Sequence, residues 1–393
     1  MKVLIAAASF SPEISGLQRY ALNVARCLVG HRDISAVHFV VAPWQRKLVQ
    51  ADGFDSNKSL VVHVAEMNQT VFSRNLWYYR KLPALVRELQ PDLVHLSYPV
   101  PVNAHSFHCP VVLTLHDLYP YEIPENFGYH KVLFNRLILQ QCMRGANAIT
   151  CVSDATVSRL KQYAPETVWR KATRIYNCVE PKIDAANSPM PGWQGEPFLL
   201  SVAQHRANKN IPLLIRAFYR LRCEHSIDSQ MKLLIVGING PETNRIHRLV
   251  SSLGLGSNIV FLRGLPETEL QWCYKQCEVL VAPSVTEGFG LPVAEALLAG
   301  CRVVCSDIPS FREISEEHCR FVPLGNHAEE ELGQAIRTAL QEPRESAVLL
   351  PQFSSETLAA EYVALYRGLL ISAHRAHSDL CRCSVQASES RSS

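Results

Sequence analysis

The stretch from Val279 to Glu295 limits the fold of this chain more than any other, because it predicts a buried strand, a glycine loop and a helix in direct succession. Val279–Ala282 is uncharged and rich in β-branched residues, as in a parallel strand that is covered on both faces. Gly288 and Gly290 then enclose one aromatic residue, and Pro292 lies in the first helical turn, where its missing N–H costs nothing. This layout points free backbone amides at an anion and predicts a phosphate site.

Two carboxylates, Glu287 and Glu295, stand on either side of the predicted phosphate site, eight residues apart. That separation is too large for them to share one proton, and a carboxylate next to a phosphate would repel it. Each glutamate is therefore expected to accept hydrogen bonds from hydroxyl groups that flank the phosphate. A nucleotide sugar has this arrangement of groups. A plain strand-to-helix turn is the alternative that the two glycines alone would favour.

Short apolar runs alternate with amphipathic segments along the first half of the chain, which is the pattern of doubly wound α/β sheets. Seven strands are predicted there, at Lys2–Ser9, Val37–Ala42, Leu60–Ala65, Leu93–Ser97, Val111–His116, Ile149–Ser153 and Arg174–Val179. The helices are expected at Leu17–Leu28, Asn75–Leu89, His130–Arg144 and Asp154–Gln162. Proline and glycine clusters between Glu180 and Glu196 then predict a linker.

The alternation begins again after the linker, which predicts a second sheet. Its strands are expected at Phe198–Ala203, Lys232–Gly237, Ile259–Arg263, Val279–Ala282 and Arg302–Ser306. Its helices are expected at Ile211–Cys223, Thr243–Leu253, Thr268–Gln276, Pro292–Ala299 and Ala328–Leu340. Two successive Rossmann-like sheets place a cleft between them, and ligands bind at the carboxyl ends of such strands. We therefore predict an α/β chain with domains at 1–188 and 189–354, a final helix at 355–372 and a frayed tail at 373–393.

Length and composition agree with two cored domains. A chain of 393 residues is too long for one ordinary core and suits two domains of about 180 residues each. Hydrophobic content of 47%, charged content of 19% and a net charge of +3 exclude a disordered chain and a strongly basic nucleic-acid-binding protein. Every apolar run is shorter than the roughly 20 residues of a membrane helix. The scattered cysteines indicate apolar packing in a reducing cytoplasm rather than a metal site.

The sequence from Glu287 to Glu295 resembles the E-x7-E motif of the retaining glycosyltransferases of family 4, also called glycosyl transferases group 1. That family has the GT-B fold, in which two Rossmann-like domains face each other across a cleft. The resemblance implies that the first domain is on the acceptor side and the second binds a nucleotide-diphosphate sugar. The sugar donor is a co-substrate, so no cofactor is expected. The final helix is expected to pack back on the first domain.

Two cations lie in the segment Ala203–Asn210, which closes the first predicted strand of the second domain. This segment and the glycine loop both follow carboxyl ends of strands, so a cation here would face the phosphate site. The family has a lysine in this segment that neutralises the leaving diphosphate, which implies that role for Lys209, with a solvated surface lysine as the alternative. The usual family arginine falls on Gln204, and Arg206 is expected to substitute for it.

His116 and Asp117 end a predicted strand of the first domain on the cleft side. The family has a histidine here that hydrogen-bonds the transferred sugar, which implies this role for His116, with Asp117 orienting its ring. A structural histidine is the alternative. The run Tyr119–Pro124 is expected to form a loop over the acceptor side. His95 also ends a strand, but its neighbours favour packing in the core.

The other donor contacts are likewise implied by the resemblance. Gly16, at the start of the first long helix, would bring its amide to the donor, although the family's second glycine is Leu17 here. Arg19 lies one turn further on and could face the cleft or the solvent. Glu295 would hold the ribose hydroxyls, and five positions would contact the nucleotide through their backbone: Gly237, Leu265, Phe289, Gly290 and Leu291. Asn177 lies in a segment that resembles the family hinge, with Cys178 in place of glycine.

The resemblance implies retaining transfer of a hexose to a glycan or lipid-linked acceptor in polysaccharide or cell-envelope synthesis. Similarity of the His-Asp and Gln-His-Arg segments to bacterial polysaccharide mannosyltransferases favours mannose from GDP-mannose. No D-x-D motif occurs in the chain, which disfavours a metal-dependent GT-A enzyme, so metal is expected to be dispensable. A GT-B nucleotide-sugar epimerase and a non-catalytic nucleotide-sugar-binding protein are the alternatives. No nucleic-acid partner is expected, and the mild basicity is compatible with peripheral contact at the inner face of the membrane.

Overall fold

The chain forms two parallel β-sheets with helices on their faces, as seen in a computed structural model. Residues 1–12, 16–46, 49, 59–124, 129–180, 190, 192–344 and 346–389 are described, with 129 and 376–389 described by their backbone only. The expected linker falls largely on 181–189 and 191, outside the described residues. Residues 390–393 of the expected tail also lie outside them.

The first sheet has seven strands: β1 (Lys2–Ala6), β2 (Ala36–Val41), β3 (Leu60–Val64), β4 (Leu93–Leu96), β5 (Val111–Leu115), β6 (Ala148–Cys151) and β7 (Ala172–Arg174). Their spatial order is β3-β2-β1-β4-β5-β6-β7, and all pairs are parallel. Its α-helices are Gly16–Leu28, Val71–Leu76, Leu82–Leu89, Tyr119–Glu122, Tyr129–Gly145, Asp154–Tyr163 and Glu166–Trp169. A π-helical turn, Trp77–Lys81, joins the second of these helices to the third.

The second sheet has six strands: β8 (Phe198–Val202), β9 (Lys232–Val236), β10 (Ile259–Leu262), β11 (Val279–Ala282), β12 (Val303–Ser306) and β13 (Arg320–Val322). Their order is β10-β9-β8-β11-β12-β13, again with parallel pairs. The α-helices are Ile211–Cys223, Thr243–Ser252, Glu267–Gln276, Leu291–Leu298, Pro309–Ser315 and Ala328–Gln341. Apart from Lys232 and Arg320 at the first positions of β9 and β13, these strands are uncharged, as suits a parallel sheet covered on both faces.

Both sheets reverse their strand order at one place, between β1 and β4 in the first and between β8 and β11 in the second. Ligands of open α/β sheets bind outside the carboxyl ends of the strands at such a point. In the second sheet, the segment after β8 carries Lys209 and the segment after β11 carries Glu287. The topology therefore brings together two loops that are about 80 residues apart in sequence.

The final helix runs over Ser355–Glu389 and packs on the first domain. Its Tyr362 hydroxyl is hydrogen-bonded to that of Tyr20 in the Gly16–Leu28 helix, and the Tyr366 hydroxyl lies 2.7 Å from Nδ1 of His95. His95 is fully buried in this core, as its neighbours in the sequence indicate. The frayed tail expected from residue 373 is wrong as far as Glu389, because the backbone continues as a helix there.

The two chain segments that connect the domains lie side by side. The backbone N–H of Val179 donates to the carbonyl of Phe353 at 2.9 Å, and the N–H of Ser355 donates to Oε1 of Glu180 at 2.7 Å. The ring of Tyr176 meets that of Phe353 edge-on, with the centroids 5.0 Å apart. The segment that precedes the linker and the segment that precedes the final helix are thus joined to each other.

Three local predictions are wrong. The strand expected at Arg174–Val179 is Ala172–Arg174, because pairing with β6 ends at Arg174 and the following residues turn to meet Phe353. The loop expected over Tyr119–Pro124 begins with a helix at Tyr119–Glu122. The helix expected over Asn75–Leu89 begins earlier, at Val71, where the Thr70 hydroxyl caps it, and contains the π-helical turn. The helix Pro309–Ser315 and strand β13 were not predicted from the sequence.

Candidate active site

The loops after β8 and β11 are joined by hydrogen bonds. The backbone N–H of Val285 donates to the carbonyl of Asn208 at 2.7 Å, and the Asn208 amide nitrogen lies 3.4 Å from the carbonyl of Thr286. Asn208 is fully buried, and Asn210 takes the left-handed conformation, with φ +48°, at the start of the next helix. This framework fixes the direction in which Lys209 leaves its short 3₁₀ turn.

Lys209 and Glu287 form an ion pair at the centre of the site. Nζ of Lys209 lies 2.5 Å from Oε1 of Glu287, and the two side chains are 19% and 8% exposed. The same carboxylate accepts from the hydroxyls of Ser284 at 2.7 Å and Tyr119 at 3.3 Å. A buried carboxylate needs this many donors, because its desolvation would otherwise cost several kcal/mol. Both residues line a small pocket together with Ser284 and Gly290.

The glycine loop lies directly against the first domain. A Cβ at Gly288 would lie 1.6 Å from the carbonyl oxygen of His116, so only glycine fits this approach. The carbonyl of Gly288 accepts from the hydroxyls of Ser153 and Thr156, and Nη1 of Arg159 donates to the carbonyl of Glu287 at 2.6 Å. The two domains are therefore closed on each other at the glycine loop.

His116 is held in one tautomer. Its Nε2 lies 2.9 Å from the carbonyl oxygen of Ser97, which can only accept, so Nε2 carries the proton and Nδ1 is the acceptor. The Tyr20 ring meets the imidazole edge-on at 4.5 Å. Burial lowers the pKa of His116 to about 4, so the ring is neutral at pH 7.

Asp117 and Arg206 form the second charged group of the cleft. Burial raises the pKa of Asp117 to about 6, while the bond from the Tyr119 N–H and the charge of Arg206 act in the opposite direction. Nε of Arg206 is buried and has no hydrogen-bond partner among the described residues. An Arg N–H that is buried without a partner is costly, so it suits a ligand anion. The expectation that Arg206 faces the phosphate site stays a prediction.

Glu295 is engaged by both domains. Its Oε2 accepts from the Tyr274 hydroxyl at 2.7 Å, and its Oε1 lies 3.4 Å from Nη1 of Arg19. Nη2 of Arg19 also lies 3.1 Å from Glu267. Of the two orientations expected for Arg19, the structure shows the one towards the cleft. A ribose would have to share Glu295 with this arginine or replace it.

The remaining predicted positions lie along the same edge of the two sheets. A Cβ at Gly237 would lie 2.0 Å from the carbonyl oxygen of Ala203, so a side chain there would push apart the ends of β8 and β9. Gly290 has φ +112° and lies against the Phe311 ring. Phe289 is only 4% exposed and packs on Tyr176 and Phe353, so only its backbone is available to a ligand.

Three further positions are less enclosed. Leu265 and Leu291 are half-buried and pack on the apolar core. Gly16 is exposed, and a Cβ on it would meet no atom within 4 Å. The structure thus brings Lys209 and Glu287 into contact and sets the glycine loop against His116. The charge of Arg206 acts on Asp117, and Gly16 is exposed. The roles of all these residues stay predictions.

Sequence reasoning missed four side chains that shape the site: Tyr119, Asn208, Arg159 and Tyr274. Asn208 donates to the Tyr119 hydroxyl at 3.1 Å, which links the lysine loop to the first domain. Arg159 also pairs with Glu122 at 2.6 Å. Asn208 is next to Lys209 and Tyr119 is close to Asp117, so proximity in sequence could have found these two. Arg159 and Tyr274 lie in helices without any local signal.

No group of three or more His, Cys, Asp or Glu side chains suited to a metal ion is found among the described residues. Within the same residues, no helix is both long and apolar enough to cross a bilayer.

Two family models match the chain and meet near the linker. The model described as Glycosyltransferase Family 4 matches residues 14–182, and the model described as Glycosyl transferases group 1 matches residues 187–350. Each covers one of the two domains.

Two curated relatives match over most of their length. O-antigen chain mannosyltransferase B of Escherichia coli is 25% identical over 338 residues, which is 80% of this chain and 84% of that protein. O-antigen chain mannosyltransferase RfbU of Salmonella typhimurium is 29% identical over 312 residues, which is 76% of this chain and 80% of that protein.

Solved structures show the same fold. Anabaena HepE in complex with UDP-glucose superposes with a TM-score of 0.62 at 18% identity, over 98% of this chain and 100% of that chain. WaaG, a glycosyltransferase involved in lipopolysaccharide biosynthesis, superposes with a TM-score of 0.62 at 19% identity, over 94% of this chain and 98% of that chain.

Proposed function

Since this chain belongs to the GT-B glycosyltransferases of family 4 and group 1, we propose that it transfers mannose from a nucleotide-diphosphate donor to a glycan or lipid-linked hydroxyl, with retention at the anomeric carbon. The observation that carries the proposal is the contact between Lys209 and Glu287 where the second sheet reverses its strand order, with the glycine loop against His116 of the first domain. Polysaccharide synthesis and the choice of mannose are supported by the O-antigen mannosyltransferases that the chain is similar to.

The barrier to sugar transfer is the departure of the nucleoside diphosphate. The bond between the anomeric carbon and the diphosphate oxygen breaks, and its electron pair stays on that oxygen. Lys209, Arg206 and the amides near Gly290 would stabilise this growing charge. The unpartnered, buried N–H of Arg206 supports its share in this role. Lys209 would exchange its bond to Glu287 for one to the diphosphate.

The freed Glu287 carboxylate would then accept hydrogen bonds from hydroxyls of the transferred sugar. His116 would contribute Nδ1 as a further acceptor, because its Nε2–H is held by Ser97 and its low pKa keeps the ring neutral. The acceptor oxygen bonds to the anomeric carbon on the face that the diphosphate leaves, and its proton passes to the departing diphosphate oxygen. Two chain cations beside the diphosphate support a transfer that needs no metal ion.

Product analysis tests this proposal. The protein is incubated with GDP-mannose, UDP-glucose or ADP-glucose, each with and without mannose-containing glycan acceptors, and NMR reports the anomeric configuration of the product. We expect transfer from GDP-mannose with retention, unchanged by EDTA. Three results would contradict it: an epimerised sugar from donor alone, tight donor binding without turnover across the acceptors, and full turnover by both Lys209→Ala and Glu287→Ala.

A further inference from the structure

Six buried polar side chains form one hydrogen-bond network between the first sheet and the final helix. They come from β4, β5 and β6, from the Gly16–Leu28 helix and from the final helix, and each is at most 1% exposed. Oγ1 of Thr114 lies at the centre, 2.7 Å from the hydroxyl oxygens of Tyr20 and Thr150. It also lies 2.7 Å from Nε2 of His95. We call these residues the hydroxyl network: Tyr20, His95, Thr114, Thr150, Tyr362 and Tyr366.

The protons of the hydroxyl network match its contacts in number. Five hydroxyls and one imidazole supply six protons, because burial lowers the pKa of His95 to about 3 and keeps its ring neutral. Two contacts join His95 to Thr114 and to Tyr366. The other four form a closed ring of hydroxyls, which runs from Tyr20 through Thr114, Thr150 and Tyr362 back to Tyr20.

This match fixes the direction of each bond. Every member of the ring donates once within it, and Tyr362 donates to Thr150 at 3.4 Å, so Tyr20 donates to Tyr362. His95 therefore donates from Nε2 to Thr114, and its Nδ1 accepts from the Tyr366 hydroxyl. Loss of the Tyr362 hydroxyl would leave the O–H of Tyr20 buried without an acceptor, which is unfavourable.

Tyr20 connects the hydroxyl network to His116. Its ring meets the imidazole at an interplanar angle of 84°, with the centroids 4.5 Å apart, which is the favoured edge-on geometry of aromatic pairs. The hydrogen bond from Nε2 to the Ser97 carbonyl fixes one point of the imidazole. Rotation of the imidazole about that point is limited by the Tyr20 ring, so the direction of Nδ1 depends on where this ring lies.

The final helix fixes the place of the Tyr20 ring. It follows the second domain in sequence, packs on the Gly16–Leu28 helix and bonds to the Tyr20 hydroxyl through Tyr362. A buried polar network allows fewer arrangements than an apolar contact, because each donor has to keep its acceptor. The hydroxyl network thus specifies one position for Tyr20 where apolar packing alone would allow several.

We propose that Tyr20 is a positioning residue for His116 and that the final helix holds Tyr20 in place through Tyr362. The bond between the two tyrosine hydroxyls keeps the Tyr20 ring against the imidazole. The imidazole in turn keeps Nδ1 directed at the transferred sugar, a step that rests on the function proposed above for His116.

NMR of the full chain with 13C-labelled histidine tests the positioning without donor or acceptor. The ring signals of His116 are assigned by their loss in His116→Gln. Tyr20→Leu should shift these signals, because it removes the ring current of the tyrosine. Tyr362→Phe should shift them in the same direction, since the Tyr20 ring is then released from its bond. Tyr20→Phe, which leaves the final helix intact, gives the same test if Tyr362→Phe does not fold.

Tyr78→Phe is the matched control. It removes a hydroxyl of the first domain that is as deeply buried as that of Tyr362 but bonds to the Ala8 carbonyl and to Tyr98. The His116 signals should stay unshifted in this variant. An equal shift in Tyr78→Phe and Tyr362→Phe would overturn the proposal, because any lost buried hydroxyl would then disturb His116. So would unshifted signals in both Tyr362→Phe and Tyr20→Phe.

Steady-state kinetics with GDP-mannose and a glycan acceptor measure the consequence for transfer. Tyr20→Phe and Tyr362→Phe should each lower kcat about tenfold and change the donor KM less than about twofold, because a displaced imidazole weakens the transition state while the diphosphate contacts stay. The double variant should be no slower than either single variant, since both break the same bond. Losses that add up in the double variant would overturn the proposal. Shifted His116 signals with unchanged kcat would confirm the role of Tyr20 and refute the function proposed for His116.

Discussion

The ion pair between Lys209 and Glu287 places in contact the two charges to which we assign the main roles in the proposed reaction. A buried pair of this kind is sensitive to the removal of one partner, because the other charge then stays buried without compensation. Stability and activity should therefore respond differently to single and double substitutions at these positions.

Lys209→Met is expected to reduce kcat at least about 100-fold, on the scale of losing one oxyanion donor. It should also lower the free energy of unfolding by roughly 2 kcal/mol, since Glu287 keeps only hydroxyl donors. The double variant Lys209→Met/Glu287→Gln should recover most of that stability and none of the activity. Thermal unfolding and steady-state kinetics of both variants measure this. Recovery of turnover in the double variant would show that Lys209 acts only by neutralising Glu287.

Asp117 should make stability fall as pH rises. Its folded-state pKa of about 6 lies above the ordinary value of 3.8, so the folded protein holds this proton more tightly than the unfolded chain. The stabilisation is complete below pH 3.8 and is lost as pH rises through 6. Asp117→Asn should thus be more stable than wild type at pH 8, by about 1–3 kcal/mol, and equal to it near pH 4.

Asp307 is the matched control for the pH dependence of Asp117. Its pKa is lowered by the hydrogen bond from Arg312, so the sign is opposite, and Asp307→Asn should be less stable than wild type at pH 8. Urea unfolding at both pH values measures the two variants. An Asp117→Asn protein that is less stable than wild type at pH 8 would contradict the expectation.

At the scale of elements, the glycine loop after β11 contacts the first domain, and it is also the proposed donor cradle. Gly288→Ala should keep the second domain folded and able to bind donor, because its added Cβ collides only with the His116 carbonyl across the cleft. Turnover should fall about 100-fold or more, as expected when reacting groups are displaced by about 1 Å. Kinetics and donor titration separate the two effects.

Gly325→Ala is the control for Gly288→Ala. A Cβ at Gly325 meets no atom within 4 Å, and the residue is exposed in the same domain. This variant should match the wild type in both measurements. Full turnover by Gly288→Ala would mean that sugar transfer does not use the closed arrangement seen here.

The elements that could be predicted from sequence are those with a strong local pattern. Val279–Ala282 and Ile211–Cys223 are confirmed residue for residue, because uninterrupted apolar or amphipathic runs end at clear breakers. The strand at 174–179 was wrong, since its pairing is decided by a distant segment around Phe353. The final helix is longer than expected. Its last part could not be predicted, because the Ser- and Cys-rich sequence after residue 373 has no helical periodicity.

The site could be predicted only in its motif-bearing part. Glu287, Lys209 and His116 follow strand ends, and the rule for parallel sheets places such residues at one edge. The tautomer of His116 is set by Ser97, and Glu295 is bound by Tyr274 and Arg19. No sequence pattern links these residues to their partners. Contacts across the cleft are of this kind, because they join residues of different domains that lie far apart in the sequence.

For the whole molecule, polar contacts across the cleft help to hold the closed arrangement, and two of them lie at the start of a helix. The Glu313 carboxylate of the second domain accepts from the N–H groups of Asp154 and Ala155 at 2.6 and 3.0 Å, at the N-terminus of a first-domain helix. Such charge-assisted bonds at a helix start are favourable, since the carboxylate also complements the helix dipole.

Glu313→Ala should shift the ligand-free protein towards an open form, by about 1.5–3 kcal/mol for the lost charged hydrogen bonds. Small-angle X-ray scattering should report a larger radius of gyration than in the wild type. Glu329→Ala is the control, because Glu329 pairs with Arg216 within the second domain, 3.1 Å away. Identical scattering from Glu313→Ala and wild type would show that other contacts suffice to hold the domains together.

The hydrogen bonds that join Val179 to Phe353 and Glu180 to Ser355 make the two connections between the domains act as one pivot. Because both connections are joined at one place, the domains rotate about that place, and the travel of any point grows with its distance from it. Spin labels placed near residues 180 and 355 should record almost no change during a catalytic cycle. Labels on the opposite edges of the cleft, farthest from the pivot, should record the full change in distance.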